Sequence, residues 1–129
     1  MVSNNLSLLK QALNASDLRQ KAISNNISNV NTPGYKLERV VFEEKFNRIM
    51  SKNEIDLTST NSKHLSINGK NDFLTPEVIR INQTSVKEDG NNVDLDAEMT
   101  EKAVNELYYS ALTRQVNHEL SQMNYVINH

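Results

Sequence analysis

The chain has no cysteine and no tryptophan, and only three glycines and two prolines punctuate its 129 residues. Without cysteine there is no disulfide framework and no thiolate for catalysis, so the sequence suits reducing and oxidising compartments alike. Aromatic residues make up 5% and hydrophobic residues 37% of the chain, too little for a large independent core. Together with an excess of Asn and Ser, this points to a chain ordered by partners, only partly folded when alone. Long apolar runs are missing too, the longest, such as Val40-Val41-Phe42, being three residues. That excludes a membrane span. Met1-Val2-Ser3-Asn4-Asn5 lacks a charged, then apolar, secretory signal, so any route out of the cytoplasm is expected to read an uncleaved segment.

The formal charge of -2 shows no basic excess and argues against nucleic acid or an anionic membrane as partner. Gly34, Gly69 and Gly90 are isolated, so there is no phosphate cradle, and no Gly-x-Ser-x-Gly elbow occurs. His64, His118 and His129 lack zinc-site spacing, and Asp94, Asp96 and Glu98 lack a calcium-loop pattern. No catalytic, cofactor or metal residue and no small-molecule substrate is assigned. An enzyme is not expected.

What the sequence does have is helical periodicity at both ends. Leu6, Leu9, Leu13, Ile23, Ile27 and Val30 keep a three/four spacing, with Ser16 and Gln20 making the middle of the stripe polar. Ala12, Ala15 and Ala22 beside it would let a neighbouring helix approach closely. A second helix is capped by Asp94 or Asp96, and its stripe runs Met99, Ala103, Leu107, Leu112, Val116, Leu120, Met123 and Ile127. Between them a short helix is expected at about 40 to 50, on Phe42 and Phe46. Lys63 to Ile67 and Glu77 to Ile81 alternate as short strands, while Gly69, Gly90 and Pro76 exclude a long helix.

The expected fold is mainly α: residues 1-36 and 93-129 pair as a coiled-coil-like inner domain, and residues 37-92 form a polar, loop-rich outer region. Charge supports the pairing. Residues 1-36 carry net +3 and residues 93-129 net -4, so the two ends attract each other, within one subunit or between subunits.

The first helix should stop near Asn29 to Asn31, because Pro33 disfavours the α region at Thr32 and Asn31 tolerates a left-handed cap. Thr32-Pro33-Gly34-Tyr35 then has the Pro and Gly of a type II turn. Asn25, Asn26, Asn29 and Asn31 serve either as helix-end chemistry or as amides bonding neighbouring subunits.

The run Asn25-Asn26-Ile27-Ser28-Asn29-Val30-Asn31-Thr32-Pro33-Gly34-Tyr35-Lys36 resembles the N-terminal signature of flagellar rod and hook proteins. Asp89 to Met99, then Ala103, Asn105, Leu107 and Tyr109, look like those of the proximal members of the flagellar basal-body rod family. Ser28 and Val30 stand where that family more often has Ala. The resemblance implies a motility protein: a structural, axial subunit of the bacterial flagellum that assembles helically through its terminal helices. It also implies passage through the flagellar type III export apparatus. Its partners would be copies of itself, other rod proteins and the adaptor joining rod to membrane ring. Phe42-Glu43-Glu44-Lys45-Phe46 is similar to the Phe-x-x-x-hydrophobic element with which early substrates dock transiently on the export gate, though the two rings equally suit the apolar face of a short helix. The alternative from another class is a helical regulatory module binding one partner in a discrete soluble complex.

Overall fold

A computed structural model describes residues 2-56, 75-82 and 87-128. It is mainly helical, with α1 at Val2–Ser28, β1 at Glu38–Val41, α2 at Glu43–Asp56, β2 at Glu77–Arg80 and α3 at Leu95–Asn128. α1 and α3 pack antiparallel, since Ser16 meets Asn105 and Asn26 meets Glu98 as the numbering rises in one and falls in the other. At 34 residues against 27, α3 runs on past the start of α1.

α1 ends where its asparagines begin to compete for the backbone. The Asn29 amide N–H is shared between the carbonyls of Asn25 and Asn26, and the Asn29 side chain donates to Asn25 O at 2.8 Å. The chain then reverses at Thr32 to Tyr35, where Tyr35 N donates to Thr32 O at 3.3 Å and Gly34 takes φ +72°. That is the expected type II turn, with the positive φ on the residue that tolerates it.

The helix expected at about 40 to 50 begins at Glu43 and reaches Asp56, because Val40 and Val41 are taken by a strand. β-branched side chains favour the pleat once an edge is available to pair with. β1 pairs antiparallel with β2 in the register Glu38↔Arg80, Arg39↔Ile79, Val40↔Val78 and Val41↔Glu77. Glu43 and Glu44 then face the positive end of α2. Lys45 ties α2 to β2 at 2.8 Å from Glu77; its hydrogen bond and its charge hold that carboxyl below the ordinary range. The strand expected at Lys63 to Ile67 lies outside the described residues.

Asp94 caps α3, its Oδ1 accepting from Asp96 N at 3.1 Å and Ala97 N at 3.4 Å. The side of α3 that α1 covers is Glu98, Asn105, Leu112 and Glu119, one residue in seven and three of the four polar. Ala12, Ala15, Ala22 and Ser16 on α1 are buried and short, so α3 approaches closely. The apolar core is correspondingly small. Phe42, Leu112, Ala12 and Ala15 form it, with Leu8, Leu9 and Leu13 packed against them, while Ile23, Val40 and Val93 are buried nearer the turn.

Gly34 generates a first prediction. Gly34→Val should destabilise the fold by about 2 kcal/mol, because a β-branched residue is strained at positive φ, whereas Gly34→Asn should lose under about 1 kcal/mol. Urea denaturation of both variants checks the difference; equal losses would mean that the turn does not require a left-handed residue.

Candidate functional site

The signature turn sits on a network of buried amides. Asn26 is fully buried, and its side chain uses all its hydrogen-bonding capacity. Nδ2 donates to Glu38 O at 2.9 Å and to Glu98 Oε2 at 3.0 Å; Oδ1 accepts from Glu38 N and from the Tyr35 hydroxyl, each at 2.9 Å. The pairing with Glu38 follows from the strand register. Leu37 O accepts from Ile81 N, so the odd-numbered residues of β1 face β2 and the peptide groups of Glu38 and Val40 face α1. Asn26 satisfies the first, and Arg19 Nη2 donates to Val40 O at 3.4 Å while its guanidinium forks onto Glu43 at 2.7 and 3.1 Å. α1 thus finishes the outer edge of β1 with side chains.

Glu98 brings the third element. Its side chain is 1% exposed, and Oε1 accepts from Arg39 Nη2 at 2.5 Å while Oε2 takes the Asn26 amide. A buried carboxylate is tolerable only with such partners. Around the turn, Asn91 Nδ2 donates to the carbonyls of Asn29 and Thr32 at 2.8 Å and of Val30 at 3.1 Å. These oxygens belong to the turn that follows α1, and those of Asn29 and Thr32 also accept from Thr32 N and Tyr35 N, so Asn91 locks a turn that is already hydrogen-bonded. Lys87 Nζ also donates to Val30 O, a cation at the negative end of the helix dipole. Asn92 links Leu37 N to Ile81 O, both at 2.7 Å. Two turns further along, Asn105 Nδ2 donates to Ser16 O and Gln20 Oε1, and its Oδ1 accepts from Ser16 Oγ at 3.0 Å.

The structure therefore separates the predicted residues. Asn26 is buried beneath the turn, Asn29 and Tyr35 are half-buried, and Asn31, Thr32, Pro33 and Gly34 are exposed. On α1, Ile23 is buried and Leu6, Leu9, Leu13 and Ile27 are half-buried, as is Val30 just beyond its end. On α3, Leu112 is buried and Val116 and Met123 half-buried, but Met99, Ala103, Leu107, Leu120 and Ile127 are exposed. Leu107 is 73% and Ile127 76% exposed, so the stripe read from periodicity faces largely away from α1. Its far end borders an open recess of about 650 Å³ beside His118, Gln122, Met123, Tyr125, Val126 and Ile127. Phe42 is 4% exposed in the core, with Phe46 half-buried one turn on.

Sequence reasoning missed the polar contacts made by Glu98, Arg39, Asn91 and Asn92 around the turn and by Asn105 further along the helix pair. The available signal was the polar middle of the first stripe: Ser16 and Gln20 need a polar partner, and Asn105 lies midway between Glu98 and Leu112. Among the described residues no three His, Cys, Asp or Glu side chains gather to hold a metal, and no helix is long and apolar enough to cross a membrane.

Two predictions follow from the amide network. Asn26→Ala strands both peptide groups of Glu38 and removes one partner of Glu98, so urea denaturation should show a loss of about 3 kcal/mol; Glu98→Gln, whose NH2 must face either Arg39 or Asn26, both donors, should lose a similar amount. A loss under about 1 kcal/mol for Asn26→Ala would mean that Asn26 does not organise the site. Burial, then the nearby Glu38 carboxylate, push the Tyr35 phenol above the ordinary tyrosine range. Its contribution to stability is full below that ordinary range and is lost as the pH rises through the raised value, where the phenolate can no longer donate to Asn26 Oδ1. Alkaline unfolding should show this step, and Tyr35→Phe should abolish it.

Comparison with known proteins bears on the same segment. The family model described as "Flagella basal body rod protein" matches residues 9-36. The flagellar basal body rod protein FlgB of Bacillus subtilis (strain 168) is 32% identical over 127 residues, covering 98% of this chain and 95% of the relative. FlgB of Buchnera aphidicola subsp. Acyrthosiphon pisum is 36% identical over 120 residues, covering 92% and 90%. FlgB of Escherichia coli (strain K12) is 32% identical over 121 residues, covering 83% of each.

Proposed function

The chain belongs to the FlgB family of flagellar basal body rod proteins, and on that premise we propose that it is built into the rod through the exposed apolar residues of its terminal helices. It is a structural subunit of the flagellar basal body rod, not an enzyme. The observation that carries the finer reading is the distribution of apolar residues on α3. Its contact with α1 is mostly polar, while Met99, Val104, Leu107, Tyr125, Val126 and Ile127 are more than half exposed. Large apolar side chains in that number are placed for partners rather than for the subunit itself. Copies of this chain, other rod proteins and the adaptor at the membrane ring are the partners this reading names.

Export through the flagellar type III apparatus belongs to the same proposal. Phe42 lies at the centre of the folded core, so a gate that recognises Phe42 and Phe46 must meet the chain before α1 and α3 close over it. Folding and recognition are then mutually exclusive, and delivery precedes assembly. The terminal helices subsequently gain from neighbours the burial that their own seam does not supply.

Leu107→Asp tests the assembly surface. The variant should fold with unchanged helix content, because the side chain is exposed, yet reduce recovery in purified basal bodies by about ten-fold and abolish motility. Normal incorporation would remove that face from the rod contacts.

A further inference from the structure

The side of α3 turned away from α1 carries a second seven-residue pattern. Half a turn round from the buried line of Glu98, Asn105 and Leu112, the residues Asp96, Thr100, Ala103, Leu107, Ser110 and Arg114 follow at alternating steps of four and three. All six are exposed. Read backwards, the row is complementary to itself. When two such helices lie antiparallel about a two-fold axis at the height of Asn105, Ala103 falls opposite Leu107, Thr100 opposite Ser110 and Asp96 opposite Arg114, each twice. A large side chain meets a small one, a hydroxyl meets a hydroxyl, and an acid meets a base. Parallel alignment would instead stack Leu107 on Leu107, Asp96 on Asp96 and Arg114 on Arg114. Among the described residues no ion pair uses Asp96 or Arg114, so both charges are available.

We propose that this row is a self-association surface on which α3 of a second copy docks antiparallel, giving a closed two-fold dimer with the two α1 helices outermost. The contact extends along about 27 Å of helix, from Asp96 to Arg114. One helix face of that length buries less than the roughly 800 Å² per partner of a standard interface, which places the dimer among weak, concentration-dependent associations. Because each copy uses the same patch, the contact closes on itself and does not propagate. It therefore goes beyond the rod reading, in which contacts must repeat from subunit to subunit. It covers Leu107, so a subunit in the dimer withholds that residue from other partners.

Sedimentation equilibrium of the full chain from about 10 μM to about 1 mM tests the proposal. The parent chain should pass from monomer to dimer and no further. Asp96→Arg and Arg114→Asp, each alone, should weaken dimerisation by about ten-fold or more, since every acid-base contact becomes a like-charge contact. Mixed in equal amounts, the two variants should associate as the parent does, because each mixed dimer regains two acid-base contacts. The chain carrying both reversals should also dimerise normally. That rescue separates docking from any effect of a single reversal on folding, which circular dichroism reads directly. A parent chain that stays monomeric throughout, or single variants that remain monomeric when mixed, overturns the proposal. So does a dimer unaffected by either reversal, which would place the contact elsewhere, for example at Tyr125, Val126 and Ile127.

Discussion

A single buried carboxamide holds the molecule's three kinds of element in one arrangement. Asn26 leaves α1, spans both peptide groups of Glu38 on β1, and reaches the carboxylate of Glu98 on α3, while Tyr35 closes the set from the far side of the turn. No other residue type of this size offers two donors and a two-fold acceptor in one plane. Aspartate has the shape but only acceptors, and would set a second carboxylate against Glu98. Among the described residues no buried side-chain nitrogen or oxygen lacks a partner, so the network is complete rather than merely polar. Complete buried networks contribute more to uniqueness than to stability, because any other arrangement leaves desolvated groups unmatched.

The parts of the fold legible in the sequence are those with local causes. α1 and α3 follow from periodicity, the turn from Pro33-Gly34, and the start of α3 from Asp94. β1 was not legible, since Leu37-Glu38-Arg39-Val40-Val41 suits an extended or a helical form; β2 on one side and Asn26 on the other decide it. The orientation of α3 was hidden for a related reason. Apolar spacing selects Met99, Ala103 and Leu107 as a seam, yet α1 takes the line through Glu98 and Asn105 on the other side of the helix. Hydrophobic periodicity identifies a face worth covering but does not say which molecule covers it. Ser16 and Gln20 held that information, because a polar gap in one helix specifies a polar residue in the other. The amides were similarly ambiguous: Asn26 and Asn91 spend their bonds within the chain, whereas Asn25 and Asn31 are exposed at the surface.

Polar pairing and apolar exposure are two sides of one allocation. The helix pair carries Glu98, Asn105 and Glu119 inside and Val104, Leu107 and Val126 outside, so the isolated subunit gains little from burial while presenting much to its surroundings. Its apolar cluster is small and centres on Phe42 and Leu112, where α1, α3 and the start of α2 converge. A subunit arranged in this way is held in register by hydrogen bonds and derives its strength from company.

The two glycine turns meet beside the end of α1. Gly34 N donates to Asp89 O at 2.9 Å, Lys36 Nζ to Gly90 O at 2.5 Å, and Leu37 N to the Asn92 side chain at 2.7 Å. The chain thus leaves the helix pair and returns to it through the same doorway, bolted on both sides. β1 and Phe42, inside those bolts, still belong to the helix pair, whereas an insertion between Phe42 and β2 only lengthens a loop, whose entropic penalty grows with the logarithm of its length. The helix pair is in this sense indifferent to the length of chain that joins Phe42 to β2: one handle can carry outer parts of very different size without re-cutting the joint.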